Sequence, residues 1–208
     1  MINDASLYIV MKYVTLNKTR VGKDYPTYVI AELSGNHGGD LEKALEIIRK
    51  AKDAGANAVK LQTYTADTIT LNSNKDDFLI PGNNPWEGSN SLYSLYKEAY
   101  TPWEWHEVLY KEAKKLEIDI FSSPFDETAV DLLEELNTKM YKIASPEIFD
   151  IGLIESVAKT RKPVILSTGL ANKQDIELAI NTLKDRGCKE IVLLKCTTAY
   201  PAPFNEVN

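Results

Sequence analysis

Cysteine is almost missing from this chain, and the two that occur, Cys188 and Cys196, stand at neither CxxC nor metal-ligand spacing. Reduced thiols in a cytoplasmic protein are the expectation. Histidine is equally scarce: His37 and His106 are too far apart in sequence to make a metal site by themselves. No basic run accompanies the net charge of -6; acids and bases alternate along KEAKKLE and DLLEELNTK, which argues against nucleic acid as a partner. No signal peptide or membrane span is visible either, since MINDASLYIVMKY has only a short apolar run before a lysine.

What is present is an ordinary globular composition, 44% hydrophobic and 26% charged over 208 residues, enough for one sizeable core. Short, mostly apolar runs at 28–34, 57–63, 119–124, 140–145, 163–168 and 190–198 suit parallel strands buried on both faces. Five amphipathic stretches lie between them. LEKALEIIRKAKDAG places Leu41, Leu45, Ile48 and Ala51 on one stripe and ends at Gly55, and Asp40 is its N-cap. TPWEWHEVLYKEAKKLE predicts a capping box with Thr101 as N-cap, Pro102 at the first helical position and Glu104 three residues on. DETAVDLLEEL, IGLIESVAKT and NKQDIELAINTLKDRG complete the set.

A repeated β-α-β-α order means parallel strands and crossover helices, the start of either an open doubly wound sheet or a (β/α)8 TIM barrel. Nearly every strand run ends in polar groups: Glu32, Lys60 with Gln62, Ser122 with Ser123, Lys142 with Ser145, Ser167 with Thr168, and Lys195 with Thr197. An open sheet needs such tips only at its switch point, whereas a barrel mouth collects them from all strands, so the α/β barrel is favoured. Residues 6–25 read as a hairpin that plugs the bottom of the barrel, which divides the chain into a hairpin unit over 1–25 and a partial barrel over 26–208. Residues 64–100 form a long connection rich in Asn, Gly, Tyr and Trp, a length that goes with binding loops.

Lys60 and Lys142 sit within apolar strands, in AVKLQ and MYKIAS. One such lysine can snorkel to water. Two on different strands imply an anion, because a buried ammonium is costly unless an anion meets it. With the hydroxyls of Ser123, Ser145 and Ser167 they describe a phosphate or carboxylate site. Glu32 and Glu147 either neutralise these lysines, bind sugar hydroxyls or act as general acid or base. In SGNHGGD, Asn36 and His37 either close a capped loop or reach the substrate; His106, near Trp103 and Trp105, reads as structural. Trp86, Tyr93, Tyr96 and Tyr100 read as loop packing, with a carbohydrate-facing role open to one of them.

The series IAELSGNHGGD, AVKLQTY, FSSPFD, KIASPE, ILSTGL and LLKCTTAYPAP, in this order, resembles the sialic acid synthase family from about residue 20 onward. Within it, WEGSNSLYSLYKEAYTPWEW is similar to the pseudaminic acid synthase branch, with legionaminic and N-acetylneuraminic acid synthases next. The resemblance implies a cytoplasmic transferase that condenses phosphoenolpyruvate with an amino sugar. It assigns Lys60, Ser123, Lys142, Ser145 and Ser167 to phosphoenolpyruvate, Glu32 to catalysis, and Gln62, Phe125, Glu147 and Tyr200 to the sugar. It also implies a divalent metal, manganese in this family, and a homodimer. The family pattern continues past YPAPFNEVN through two more βα units, with the metal-binding histidines, and an antifreeze-like domain. The sequence here stops at Asn208, so the expectation is a barrel truncated after six strands, without its metal site and weak or inactive alone. The rival readings are a Schiff-base aldolase using Lys142 or Lys60, and a non-catalytic binding module for phosphorylated metabolites.

Overall fold

The computed structural model describes residues 12–80, 90–198 and 202–206. Two short strands come first, β1 (Val14–Leu16) and β2 (Thr19–Val21), paired antiparallel with Val14 opposite Val21. Asn17 turns the corner at φ 52°. Then follow β3 (Ile30–Glu32), α1 (Leu41–Asp53), β4 (Ala58–Thr63), α2 (Ala66–Ile69), α3 (Leu92–Ala99), α4 (Trp103–Lys115), β5 (Asp119–Pro124), α5 (Glu127–Glu135), β6 (Tyr141–Ile143), α6 (Ile151–Lys159), β7 (Val164–Ser167), α7 (Lys173–Asp185) and β8 (Ile191–Leu194).

Strands β3 to β8 form one parallel sheet in strictly sequential order. That order, with no reversal point, is the wall of a barrel and not a doubly wound sheet. The six strands make a half-barrel.

The two faces of the sheet have different chemistry, and the register shows how. Outward residues Val59, Leu61, Tyr141, Ile143, Val164 and Leu166 pack against the helices: α1 and α4 cover the first half through Ile48, Leu109 and Ala113, and α5 to α7 cover the second through Leu133, Ile154, Val157 and Leu183. The inward set alternates with these. Its lower layer is apolar, with Ala58, Phe121, Met140 and Ile165 packed together with Leu16 of the hairpin. The hairpin thus closes the lower end of the strands. Asn17 Nδ2 donates to Asp119 Oδ1 at 2.7 Å, and the Thr15 amide donates to Glu190 Oε2 at 3.0 Å.

Helix punctuation follows local chemistry in most places. Asp40 caps α1 by accepting from the Glu42 and Lys43 amides, and Gly55 follows the helix at φ 84°. Left-handed residues also follow α4, α5 and α6, but there they are Glu117, Asn137 and Arg161, not glycine.

Two expectations need correction. The capping box at the start of α4 does not form: Pro102 is the N-cap with no side-chain bond, because Thr101 is buried and its hydroxyl is taken by His37. Ser122 does not join the mouth; it faces outward, where its hydroxyl meets Thr63 Oγ1 at 2.6 Å. The connection over 64–100 contains helices of its own, α2 and α3, the latter closed by a capping box between Ser91 and Ser94. No helix among the described residues is long and apolar enough to cross a membrane.

Candidate active site

Above the apolar layer the inward positions become polar. Glu32 and Lys60 are register partners on β3 and β4, and their side chains form an ion pair of 2.8 Å. The carboxylate is 58% exposed and the ammonium only 7%, so the acid lies at the rim and the base below it. Ser122 pairs with Tyr141, so the next residues along, Ser123 and Lys142, are inward neighbours. Lys60, Lys142, Glu32, Tyr28, Ile30 and Leu194 line one cavity of about 240 Å³. Tyr28 is held by its hydroxyl, which donates to Asp119 Oδ2 at 2.6 Å.

Among the described residues, Lys142 forms no such ion pair, though the charges of Glu32 and Glu147 reach it. Its ammonium donates to the Ile143 carbonyl at 3.0 Å and to the Ser167 hydroxyl. Burial, and then the nearby charge of Lys60, lower its pKa to about 8.

The three serines are arranged as donors. Ser167 Oγ accepts from both Lys142 and the Cys196 thiol, at 3.1 Å for the latter, which leaves its own proton for another acceptor. Ser145 Oγ accepts from the Gly169 amide at 3.0 Å and likewise keeps its proton. Among the described residues, Ser123 Oγ is buried without a partner. A buried hydroxyl without a partner calls for a ligand or a water. Ser167 touches Lys142, and Ser123 is that lysine's inward neighbour across β5 and β6, so hydroxyls and ammoniums together make a cradle of donors, the chemistry that suits an anion.

A second group stands beside the cradle. Tyr64 and Phe125 extend the inward alternation just past β4 and β5, and their rings meet edge to face at 5.4 Å. Tyr96 of α3 packs on Tyr64 at 5.6 Å in the same manner. Glu147 follows β6; burial raises its pKa, opposed in part by Lys142, and among the described residues its Oε2 is buried without a partner. Gln62 is tied to the loop after β3, accepting from Ser34 Oγ at 2.8 Å.

The remaining candidates lie elsewhere. Asn36 is exposed and donates to the Leu33 carbonyl at 2.9 Å. His37 is fully buried, with Nδ1 accepting from the Gly39 amide at 3.0 Å, Nε2 at 3.2 Å from Thr101 Oγ1, and its ring edge to face with Trp105. This is the closed-loop arrangement, behind the sheet rather than in the mouth. Burial and Lys43 lower its pKa. His106 is also buried, its Nε2 2.9 Å from Thr63 Oγ1 and its Nδ1 3.2 Å from the Pro102 carbonyl. Tyr200 lies outside the described residues. Among the described residues, no three His, Cys, Asp or Glu side chains are grouped to hold a metal ion. The described residues thus supply no ligand set of their own for the implied metal.

Two members of the site went unnoticed in the sequence. Cys196 continues the inward alternation of Val192 and Leu194 past β8, and Tyr64 does the same after Lys60 and Gln62. Counting by twos beyond the end of a strand is the signal that finds both.

Comparison with known proteins points in one direction. A profile described as the NeuB family matches residues 47–208. Pseudaminic acid synthase of Helicobacter pylori is 49% identical over 88% of this chain and 53% of its own length. N,N'-diacetyllegionaminic acid synthase of Campylobacter jejuni is 41% identical, over 88% and 54%. The crystal structure of N-acetylneuraminic acid synthetase from Leptospira borgpetersenii, in complex with citrate, superposes with a TM-score of 0.79 at 33% identity, covering 94% of this chain and 63% of that one. The chain spans about half the length of the curated relatives it matches.

Proposed function

This chain belongs to the NeuB family, and from that premise we propose that it carries the phosphoenolpyruvate site of a sialic-acid-type synthase. The reaction is condensation with a 2,4-diacetamido-2,4,6-trideoxy hexose to a nine-carbon 2-keto acid, with release of phosphate. The observation that supports it best is the pair of buried ammoniums, Lys60 and Lys142, lining one cavity next to a buried, unpartnered Ser123 hydroxyl. Such a cradle suits a small, multiply charged anion and is costly to maintain without one.

The roles divide by position. Lys60, Lys142, Ser123, Ser145 and Ser167 hold the phosphate and carboxylate. Glu32, at the rim and paired with Lys60, is placed to move a proton as the new bond forms or the tetrahedral intermediate collapses. Gln62, Phe125, Glu147 and Tyr200 are the residues that the family resemblance assigns to the acceptor. Phosphoenolpyruvate C3 attacks the aldehyde carbon, water adds at C2, and the C2–O bond to phosphate breaks. The divalent metal and the homodimer implied by the family belong to this proposal for the whole protein.

The test uses the full-length protein with phosphoenolpyruvate carrying ¹⁸O at the bridging oxygen. Cleavage of C–O places the label in the released phosphate; label retained in the keto acid overturns the mechanism. Comparing a diacetamido-trideoxy hexose with N-acetylmannosamine reads the acceptor, and preference for the latter favours a neuraminate-type synthase.

The depressed Lys142 pKa favours a second reading, imine formation between a partly neutral amine and a keto acid. Borohydride trapping of a pyruvate adduct on Lys142 supports that reading; phosphate release without trapping excludes it.

A further inference from the structure

The aromatic corner beside the anion cradle is not made by the barrel alone. Tyr64 and Phe125 come from the ends of β4 and β5, but the third ring, Tyr96, is brought in by α3 from the 64–100 connection. That helix is held firmly. Its start is closed by the Ser91–Ser94 capping box, Leu79 bridges to Ser91, and Tyr93 donates to Asp67 Oδ1 of α2 at 3.0 Å. Trp103 Nε1 donates to the Tyr64 carbonyl at 3.3 Å and fixes the other side of the corner.

Glu147 connects this corner to the cradle. Its carboxylate is within electrostatic reach of both Lys142 and the Tyr96 phenol. Among the described residues, it presents one buried oxygen with no partner. Tyr96 is half-buried, so part of its ring remains available. Aromatic edges and faces attract a methyl group, and an unpartnered carboxylate oxygen attracts an N–H. A group that offers both, with one carbonyl carbon between them, is an N-acyl amine.

We propose that Tyr96 is a specificity-determining residue of the acceptor site: its ring flanks the acyl methyl of an N-acylated amino sugar whose amide N–H is donated to Glu147. This rests on the synthase reading above. On this view α3, an element outside the βα repeat, adds to the acceptor site a contact with the acyl group that the barrel strands do not supply.

The experiment is steady-state kinetics of the full-length protein with two acceptors that differ only in N-acetyl against N-formyl, one methyl apart. Wild type is expected to favour the N-acetyl sugar in kcat/KM by about tenfold, and Tyr96→Ala to reduce that preference to about twofold or less. Tyr96→Phe keeps the preference, and the KM for phosphoenolpyruvate stays unchanged in both. A merely structural role lowers both acceptors equally and leaves their ratio intact, which overturns the proposal while the synthase reading stands. If Tyr96→Ala fails to show a cooperative melt, Tyr96→Leu, which preserves packing on Tyr64, gives the same comparison. Wild-type protein that neither binds phosphoenolpyruvate nor releases phosphate overturns the synthase reading itself, and the proposal with it.

Discussion

Lys60 and Lys142 come from different strands yet line one cavity, and the charge of the first helps to strip the second of its proton. Among the described residues, only Lys60 of the two forms an ion pair, with Glu32 at 2.8 Å. On the proposed reading, Lys142 is the member of the pair that the bound anion meets.

Lys142→Ala is expected to weaken phosphoenolpyruvate binding by about ten- to a hundredfold, the worth of a charge-assisted hydrogen bond. The fold should survive, because what is removed is a buried charge. Calorimetry against a thermal melt separates the two effects. Unchanged affinity sinks the assignment of this lysine to the anion.

Titration of Lys142 gives a second expectation. Its folded pKa of about 8 lies below the ordinary 10.5, so the unfolded chain holds more protons than the native one between those values. Stability therefore rises with pH across that window, and below it the buried ammonium is a constant burden. An anion in the cradle favours the charged amine, so phosphoenolpyruvate binding at pH 8 takes up a fraction of a proton, up to about one half. Binding enthalpies in buffers of different ionisation heat measure this, and Lys142→Met should abolish both the uptake and the rise in stability.

Gly169 is required by space, not by backbone angle. A methyl group there would stand 2.5 Å from Thr198 Oγ1 and 2.9 Å from Ser145 Oγ. Gly169→Ala should push Ser145 out of the cradle and weaken phosphoenolpyruvate binding several-fold with little change in melting temperature. An affinity equal to wild type would place Ser145 outside the anion site.

Acid should loosen the sheet from α4. Burial lowers the pKa of both His37 and His106, so each is neutral in the native state and its unfolded form gains a proton first. Stability is lost as pH falls below the ordinary 6.5 of the imidazole. The chain His106–Thr63–Ser122 is closed on itself, and Thr63→Val leaves His106 Nε2 buried without a partner, at a cost of about 1–3 kcal/mol. Melting temperatures of wild type and His106→Gln between pH 7 and 5 test the link. Equal losses in both exclude His106 as the source.

The sequence by itself determined the elements and the chemistry they carry. Six apolar runs and five amphipathic stretches are local patterns of period 2 and 3.6, so they are legible without any contact being known. The cost of placing Lys60 and Lys142 in such runs, with the serines nearby, points to an anion for the same reason. Tertiary structure decided what depends on neighbours distant in sequence. Thr101 has the position of an N-cap, yet His37, 64 residues away, takes its hydroxyl. Ser122 and Ser123 are adjacent and look alike, but strand alternation sends one to His106's network and the other to the cradle. Tyr96 has no periodic signal that points to the mouth; only the docking of α3 against Tyr64 brings it there. A strand's polar tip can be read from its own residues, whereas which hydroxyls still hold an unspent proton is settled only once every partner is in place.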